Sequence, residues 1–201
     1  MTAPTNPWRT KGSRPIYENP WIRVREDAVI RPDGQDGIYG VVEYKNWAIG
    51  IVVLTDEGET ILVGQHRYPL DLYSWEIPEG GCPVGTSPLE SAKRELREET
   101  GIEAGRWTYL GELHLSNSVS DEVGCVFLAE ELKFGEAEPE GTERLETRRV
   151  PLAAAYHMAM TGEISDSLAV IGLARAHHFL AAGRRMEPVE RCFPGLGRRR
   201  D

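Results

Sequence analysis

The chain has 201 residues, of which 40% are hydrophobic, and a formal net charge of −9. This length and apolar content suit one domain with a packed core, and no apolar run approaches the roughly 20 residues of a membrane span. The negative charge argues against nonspecific binding to nucleic acid, which depends on neutralising phosphates, so we expect neither nucleic acid nor a membrane as a partner.

The cysteines and the N-terminus indicate a cellular compartment. Cys82, Cys125 and Cys192 show no metal-ligand spacing and cannot all pair, which favours a reducing environment. The first seven residues are polar and Pro-rich and lack the apolar core of a signal peptide. We therefore expect a cytoplasmic protein.

Strand patterns fill the first part of the chain. Residues 1–45 are predicted to form a small N-terminal β region, with strands at Ile16-Tyr17, from Trp21 to Ile30 and from Gly40 to Tyr44. The second of these strands is predicted to end at the turn Arg31-Pro32-Asp33-Gly34.

Strands and then helices follow in the rest of the chain. Residues 46–183 are predicted to form one domain. Residues 184–201 carry charge but no periodicity and are predicted to form a disordered tail. The predicted strands run from Ala48 to Leu54 and from Thr60 to Val63 as a pair about a turn, through Trp75, from Trp107 to Leu115, from Gly124 to Glu130 and from Leu145 to Val150; the predicted helices run from Pro151 to Thr161 and, capped by Ser165, to Ala182. Together they predict an α/β fold with a mixed β-sheet and helices on its faces.

A further helix is marked at both ends. The strand through Trp75 is predicted to break into a Pro/Gly loop that leads to it. Ser87 and Glu90 fit a capping box, and Pro88 suits the first helical position, where its missing N–H is harmless. Gly101 is predicted to end the helix.

Three carboxylates crowd the last turns of this helix. Glu95 lies one turn from both Glu98 and Glu99, so we expect all three on one broad face, opposite the core. Like charges at this spacing repel by roughly a few tenths of a kcal/mol per pair. A hard divalent cation would turn that repulsion into coordination, whereas the alternative is an ordinary solvated acidic surface.

The spacing around this helix resembles the signature of the Nudix hydrolases, G-x5-E-x7-R-E-U-x-E-E-x-G-U, with U a bulky aliphatic residue. Gly80 is followed after five residues by Thr86, and after seven more by the run from Arg94 to Ile102. Every fixed position fits except the first glutamate, which is Thr86 here, and we expect Thr86 to act as a helix-start cap instead. The resemblance implies the α/β/α Nudix fold.

A second set of residues resembles one branch of that family. Gln65-His66-Arg67 and the run from Trp75 to Gly80 are similar to the Q-x-R and W-E-x-P-A-G of the ADP-ribose and nucleotide-sugar diphosphatases. The resemblance implies hydrolysis of such a small nucleotide to a nucleoside monophosphate and a sugar phosphate. It also implies a homodimer that exchanges its N-terminal β region.

The resemblance implies roles for the acidic residues. Glu95, Glu98 and Glu99, with the backbone carbonyl of Glu79, would bind Mg²⁺ or Mn²⁺, and Arg94 would orient a glutamate of the helix by a salt bridge. The ions would bridge the diphosphate and polarise an attacking water.

The resemblance also implies substrate-binding and catalytic residues. Arg67 would contact a phosphate through its planar fork, Glu76 would lie at the substrate, and Trp21 is our candidate for stacking on the nucleobase. For the general base we favour Glu143 of a late acidic loop, with Glu146 second; the alternative is that this loop is only a solvated run of charges.

Other functions remain open at this point. A Nudix hydrolase of nucleoside triphosphates or an RNA-decapping enzyme is the second hypothesis, and the Q-x-R and W-E-x-P-E-G context argues against both. A regulator that binds nucleotides without hydrolysing them is the third, and the intact Arg94-Glu95 and Glu98-Glu99 pairs argue against it.

Overall fold

The computed structural model describes residues 5–83, 85–137 and 144–183. The strands in these ranges are β1 (Arg9–Glu18), β2 (Ile22–Ile30), β3 (Asp36–Tyr44), β4 (Asn46–Val53), β5 (Glu59–Arg67), β6 (Leu72–Glu76), β7 (Glu79–Pro83), β8 (Ile102–His114), β9 (Val123–Phe134) and β10 (Glu146–Pro151), and the helices are α1 (Pro88–Thr100), α2 (Leu152–Thr161) and α3 (Ser167–Ala181). None of these helices has the length and apolar character needed to cross a membrane. The tail predicted at 184–201 lies outside the described residues.

Three sheets organise the strands, in the orders β1-β2-β3, β10-β5-β6 and β7-β4-β9-β8. The last sheet is mixed, because β4 runs parallel to β9 and antiparallel to β7. The α1 helix packs on one side of this sheet, and α2 and α3 pack on the other. The sequence prediction of an α/β fold with a mixed sheet between helices is therefore confirmed.

Strand β4 is buried on both faces and separates two hydrophobic clusters. Its residues Ile49, Ile51 and Val53 belong to the cluster beneath α1. Val52, which points to the other face, belongs to the cluster beneath α2 and α3. A strand covered on both faces is expected to be a continuous apolar run, as β4 is.

The predicted pairing of Ala48–Leu54 with Thr60–Val63 is wrong. The chain does turn tightly between them, where the Gly58 N–H donates to the Thr55 carbonyl. However, β4 pairs with β7 and β9, and β5 pairs with β6 and β10. The Leu54 N–H, just after β4, donates to the Ala129 carbonyl of β9. The strands β4 and β5 therefore belong to different sheets.

The Pro/Gly loop predicted after Trp75 is also wrong in part. Residues Glu79–Pro83 form strand β7 despite two glycines and a proline. They pair antiparallel with β4, which supplies hydrogen bonds that local propensity does not indicate. This short edge strand carries Gly80 and Glu79 into the region of the acidic helix.

The helix caps differ from the predicted ones. Ser87 makes no side-chain cap bond, and Glu90 instead accepts a hydrogen bond from Lys93 at 2.8 Å, so the capping box does not form. Thr86 does not cap the helix either, because its Oγ1 donates within the loop to the Pro83 carbonyl at 2.6 Å. The cap of α3 is Asp166 rather than its neighbour Ser165.

The N-terminal sheet lies against the loop that joins β8 to β9. The Tyr39 hydroxyl donates to the Ser118 carbonyl at 2.7 Å, and the Val42 N–H donates to the Val119 carbonyl at 2.9 Å. At the other end of β3, the Lys45 N–H donates to the Trp21 carbonyl at 2.9 Å. These bonds place Trp21 beside the mixed sheet.

Candidate active site

The acidic helix α1 lies against strand β7. Its C-terminal boundary is the predicted one: Gly101 has a φ of 70° and its N–H donates to the Arg97 carbonyl. A Cβ atom at Gly101 would lie 2.5 Å from the Gly135 carbonyl oxygen, so the position also excludes a side chain on packing grounds. Gly101 therefore fixes the C-terminal end of the helix directly after the glutamates that face β7.

Glu99 is buried and not on a solvated face, which corrects the prediction that all three carboxylates lie opposite the core. The residue is only 3% exposed, and its side chain accepts a hydrogen bond from the Glu79 amide at 3.1 Å. Glu95 contacts β7 as well, because a Cβ atom on Gly80 would overlap its carboxyl group. The glycine of the motif thus makes room for a glutamate of the motif.

Arg94 joins the remaining acidic side chains. It donates to Glu98 at 2.7 Å, to Glu95 at 2.6 Å and to the Gly81 carbonyl at 3.0 Å. Burial opposes the charge of this guanidinium, but Glu95 and then Glu98 raise the pKa of Arg94 above its ordinary value. Arg94 is therefore a permanent cation between the two carboxylates.

A hard divalent cation fits the chemistry of this donor set. Glu95, Glu98 and Glu99 offer only oxygen ligands, which Mg²⁺ and Mn²⁺ prefer, and the glycine at position 80 leaves space beside the first of them. In the described part of the chain these three carboxylates do not converge on one point, because Arg94 holds two of them. A cation bound here would take over charge that Arg94 now balances.

Arg67 and Glu76 form a second ionic group with the side chain of Glu79. The Arg67 Nε donates to Glu76 at 2.9 Å, and its Nη2 contacts both Glu76 and Glu79. Glu76 is almost fully buried, with 2% of its side chain exposed. Such a carboxylate needs a charged partner, and Arg67 is that partner.

Asp166 completes this group from the N-terminus of α3. Oxygens of Glu76, Glu79 and Asp166 all lie within 4.8 Å of one another. Burial, and then repulsion from Asp166 and Glu76, raises the pKa of the Glu79 carboxyl well above its ordinary range, although Arg67 opposes the rise. The sequence interpretation missed Asp166 and the Glu79 side chain; the signals were an Asp before a helical pattern and a charged residue where the resembling motif has Ala.

A cleft opens beside Arg67 and Glu79 and reaches Gly80 and Gly81 of β7, the strand on which α1 packs. Its volume is about 410 Å³, which is enough for part of a nucleotide. Trp21 lies on its wall with 66% of its surface exposed. The lining consists of Trp21, Tyr44, Asn46, Trp47, Ala48, Gln65, Arg67, Glu79, Gly80, Gly81, Glu122 and Leu168. The structure therefore brings together the predicted substrate residues Trp21 and Arg67 and the predicted metal-binding position Glu79.

The two candidates for the general base are placed differently. Glu143 lies outside the described residues. Glu146 is exposed on the edge strand β10, opposite Gly64 of β5. Burial, and then a hydrogen bond to Glu146, raises the pKa of the Tyr73 hydroxyl. The described residues that line the cleft do not include Glu146.

Comparisons with known proteins agree with this arrangement. A family profile described as a NUDIX domain matches residues 45–168, and one described as a nucleoside diphosphate sugar hydrolase N-terminal domain matches residues 8–42. The chain is 32% identical to the ADP-ribose pyrophosphatase of Mycobacterium tuberculosis, over 91% of this chain and 89% of that protein. It is 33% identical to the ADP-ribose pyrophosphatase of Bacillus subtilis, over 79% of this chain and 86% of that protein.

A solved structure shows the same fold. A crystal structure described as an ADP compounds hydrolase superposes with a TM-score of 0.80 at 21% identity, covering 92% of this chain and all of that one. This likeness confirms the predicted Nudix fold. Since the NUDIX profile covers more than half of the chain and the relatives align over most of it, the chain belongs to the Nudix hydrolase family, in its branch of ADP-ribose and nucleotide-sugar diphosphatases.

Proposed function

We propose that this chain is a Mg²⁺- or Mn²⁺-dependent diphosphatase that hydrolyses ADP-ribose or a nucleoside-diphosphate sugar to a nucleoside monophosphate and a sugar phosphate. The observation that carries the proposal is the packing of Glu95 and Glu99 against β7, beside a cleft that Arg67 and Trp21 line. The two relatives, both ADP-ribose pyrophosphatases, support the substrate class.

The metal-binding residues are Glu95, Glu98 and Glu99 with the backbone carbonyl of Glu79. A bound divalent ion supplies charge neutralisation of the diphosphate and a more acidic water. Arg94 holds Glu95 and Glu98 in fixed orientations. A cation that binds here would draw both carboxylates toward it and take over the charge that Arg94 balances.

The cleft residues orient the substrate. Arg67 is fixed by Glu76, so its guanidinium is preorganised to meet a phosphate group. Trp21 offers an exposed ring on which a nucleobase can stack. Together they would bind the two ends of a diphosphate-linked substrate.

Hydrolysis also requires a base. Water adds to one phosphorus, the bond to the bridging oxygen breaks, and the proton lost by the water must pass to a nearby group. We propose Glu143 for this role and Glu146 second, because both follow β9 on the acidic segment before or at β10.

A substrate panel tests the proposal. Purified protein is incubated with ADP-ribose, GDP-mannose, other nucleotide sugars, nucleoside triphosphates and 5′-triphosphate RNA, with Mg²⁺, Mn²⁺ or EDTA. We expect release of a nucleoside monophosphate from a diphosphate-linked substrate only when a divalent ion is present. Absence of turnover for every diphosphate-linked substrate would overturn the proposal. Preferential turnover of triphosphates would instead support a Nudix hydrolase of nucleoside triphosphates or an RNA-decapping enzyme.

We further propose a homodimer that exchanges the N-terminal region of residues 1–45. Strand β1 is exposed along its whole length, and Ile16, Tyr17 and Ile38 present more than half of their surface to solvent. A second copy of the chain would cover this surface. Light scattering after size exclusion should give twice the monomer mass, and a monomer at micromolar concentration would contradict the proposal.

We also propose a cytoplasmic location. Cys82 and Cys125 are buried free thiols, which suit a reducing compartment. Cell fractionation with compartment markers tests this assignment, and recovery with an extracytoplasmic marker would contradict it.

A further inference from the structure

Three carboxylates converge on the α3 side of strand β7. They belong to Glu76 at the end of β6, Glu79 at the start of β7 and Asp166 at the N-terminus of α3, and their oxygens lie within 4.8 Å of one another. Groups from three separate elements thus meet at one point. Oxygen-only clusters of this kind match hard divalent cations.

This cluster is separate from the glutamates of α1. Successive side chains of a strand point to opposite faces. At Gly80 a Cβ atom would point at Glu95 of α1. The neighbouring side chain of Glu79 points the other way, toward Asp166 and Arg67. Strand β7 therefore stands between two acidic groups.

The charge of the cluster is unbalanced. Glu76, Glu79 and Asp166 carry three negative charges when ionised, and Arg67 supplies one positive charge. With all three carboxylates ionised, a remainder of two negative charges is left, which one divalent cation would balance. Because Glu76 and Glu79 have 2% and 10% of their side chains exposed, water cannot balance that remainder cheaply.

One oxygen of Glu79 is in addition buried without a hydrogen-bond donor from the residues that the structure describes. This atom is Oε2, whereas Oε1 contacts Arg67. A buried acceptor left without a donor costs about 1–3 kcal/mol, and more when it is charged. The atom is therefore a ligand position that the protein itself does not fill.

Asp166 is oriented by a hydrogen bond that leaves one of its oxygens for a ligand. Its Oδ1 accepts the Ala169 N–H at 2.8 Å as the cap of α3, and this bond does not use Oδ2.

We propose that the side chains of Glu76, Glu79 and Asp166 bind one divalent cation at a site distinct from the carboxylates of α1. The ion fastens the start of α3 to β6 and β7 and balances the charge beside Arg67. The site shares no side-chain ligand with the proposed catalytic metal site, to which only the backbone carbonyl of Glu79 is assigned.

Binding of Mn²⁺ alone tests the site in a chain whose α1 carboxylates are neutralised. The background variant is Glu95→Gln/Glu98→Gln/Glu99→Gln, and free Mn²⁺ is counted by electron paramagnetic resonance without substrate. We expect this background to retain one Mn²⁺ per chain. Adding Asp166→Asn, which keeps an oxygen for the helix cap, should weaken that binding by about tenfold or more.

Two further variants complete the experiment. Glu79→Gln in the same background should weaken Mn²⁺ binding as Asp166→Asn does. It tests the site even if the Asp166 variant does not fold. Glu163→Gln, an exposed acidic residue just before α3, is the matched control and should leave binding unchanged.

Two results would overturn the inference. One is a background that binds no Mn²⁺, which would mean that Glu79 and Asp166 share a proton instead. The other is equally tight Mn²⁺ binding in the Asp166→Asn, Glu79→Gln and Glu163→Gln variants. That result would place the ion elsewhere. Neither result bears on hydrolysis, which is measured with the unmodified chain.

Discussion

Gly80 of β7 and Glu95 of α1 are in such close contact that a methyl group on Gly80 would overlap the carboxyl carbon of Glu95. The overlap involves the far end of a flexible side chain and no backbone atom. Replacement of the glycine should therefore move the carboxylate without unfolding the protein.

Gly80→Ala should lower the rate of ADP-ribose hydrolysis about tenfold to a hundredfold, because displacement of a reacting or ligating group by about 1 Å has effects of this size. Its melting temperature should stay close to that of the parent. Gly81→Ala is the matched control, since its Cβ atom would meet only the side-chain amide of Asn46, at 3.1 Å. Equal rates for the two variants would refute a role for the position of Glu95.

Glu99→Gln should lower the rate at least about a hundredfold, because metal ligation supplies several kcal/mol and about 1.4 kcal/mol corresponds to a factor of ten. The glutamine oxygen can still accept the Glu79 amide bond, so the fold should be kept. Steady-state rates at saturating Mg²⁺ measure the effect. Glu90→Gln, on the exposed side of α1, serves as the control, and an unaffected Glu99 variant would remove this residue from the metal site.

Arg67→Ala should destabilise the protein by about 3 kcal/mol in EDTA, because it leaves the buried carboxylates of Glu76 and Glu79 without their cation. Urea unfolding at pH 7.5 measures the change. Arg149→Ala is a close control, since Arg149 also joins two carboxylates, Glu57 and Glu59, but at the surface. Its loss should be about 1 kcal/mol or less, and similar values for both variants would contradict the difference in burial.

Asp27→Asn should destabilise the protein in a pH-dependent way. Burial alone would raise the pKa of Asp27, but hydrogen bonds from Ser13 and Arg25 lower it below the ordinary value. Ionised Asp27 therefore stabilises the folded state at pH values above the pKa of the unfolded chain, and this contribution is lost as the pH falls through the folded pKa.

At pH 7 the Asp27 substitution should reduce the free energy of unfolding by about 1–3 kcal/mol, and the difference from the parent should shrink below about pH 4. Urea titrations between pH 7 and pH 3.5 give both values. Asp36→Asn, which removes an exposed partner of Lys11, should change stability little at any pH. A constant difference across the range would show that the charge of Asp27 is not responsible.

The helix α1 could be predicted because its signals are local. Pro88, the apolar positions and Gly101 are close in the chain, and each indicates the same helix. The family motif also contains Gly80 and Glu95, but only the structure shows that they are in contact. Local sequence did not reveal which carboxylate is buried, because the burial of Glu99 depends on the amide of Glu79 in another element.

Strand β7 and Asp166 could not be predicted for a related reason. Glu79–Pro83 contains residues that disfavour strands, and it is a strand because β4 offers a free edge there. The meeting of Asp166 with Glu76 and Glu79 depends on how α3 packs on the sheet. Both features arise from contacts between distant segments, for which the local pattern carries no signal.

The alternation of Glu79 and Gly80 along β7 makes the length of this segment more important than most of its side chains. Insertion of one residue between Pro78 and Glu79 would shift the strand by one position against β4 and exchange its two faces. Glu79 would then take the place of Gly80, so that its carboxylate would meet Glu95, and Arg67 would lose its contact with Glu79. An insertion here should therefore disturb the groups on both faces of β7 at once, whereas a substitution disturbs only the group that its side chain faces.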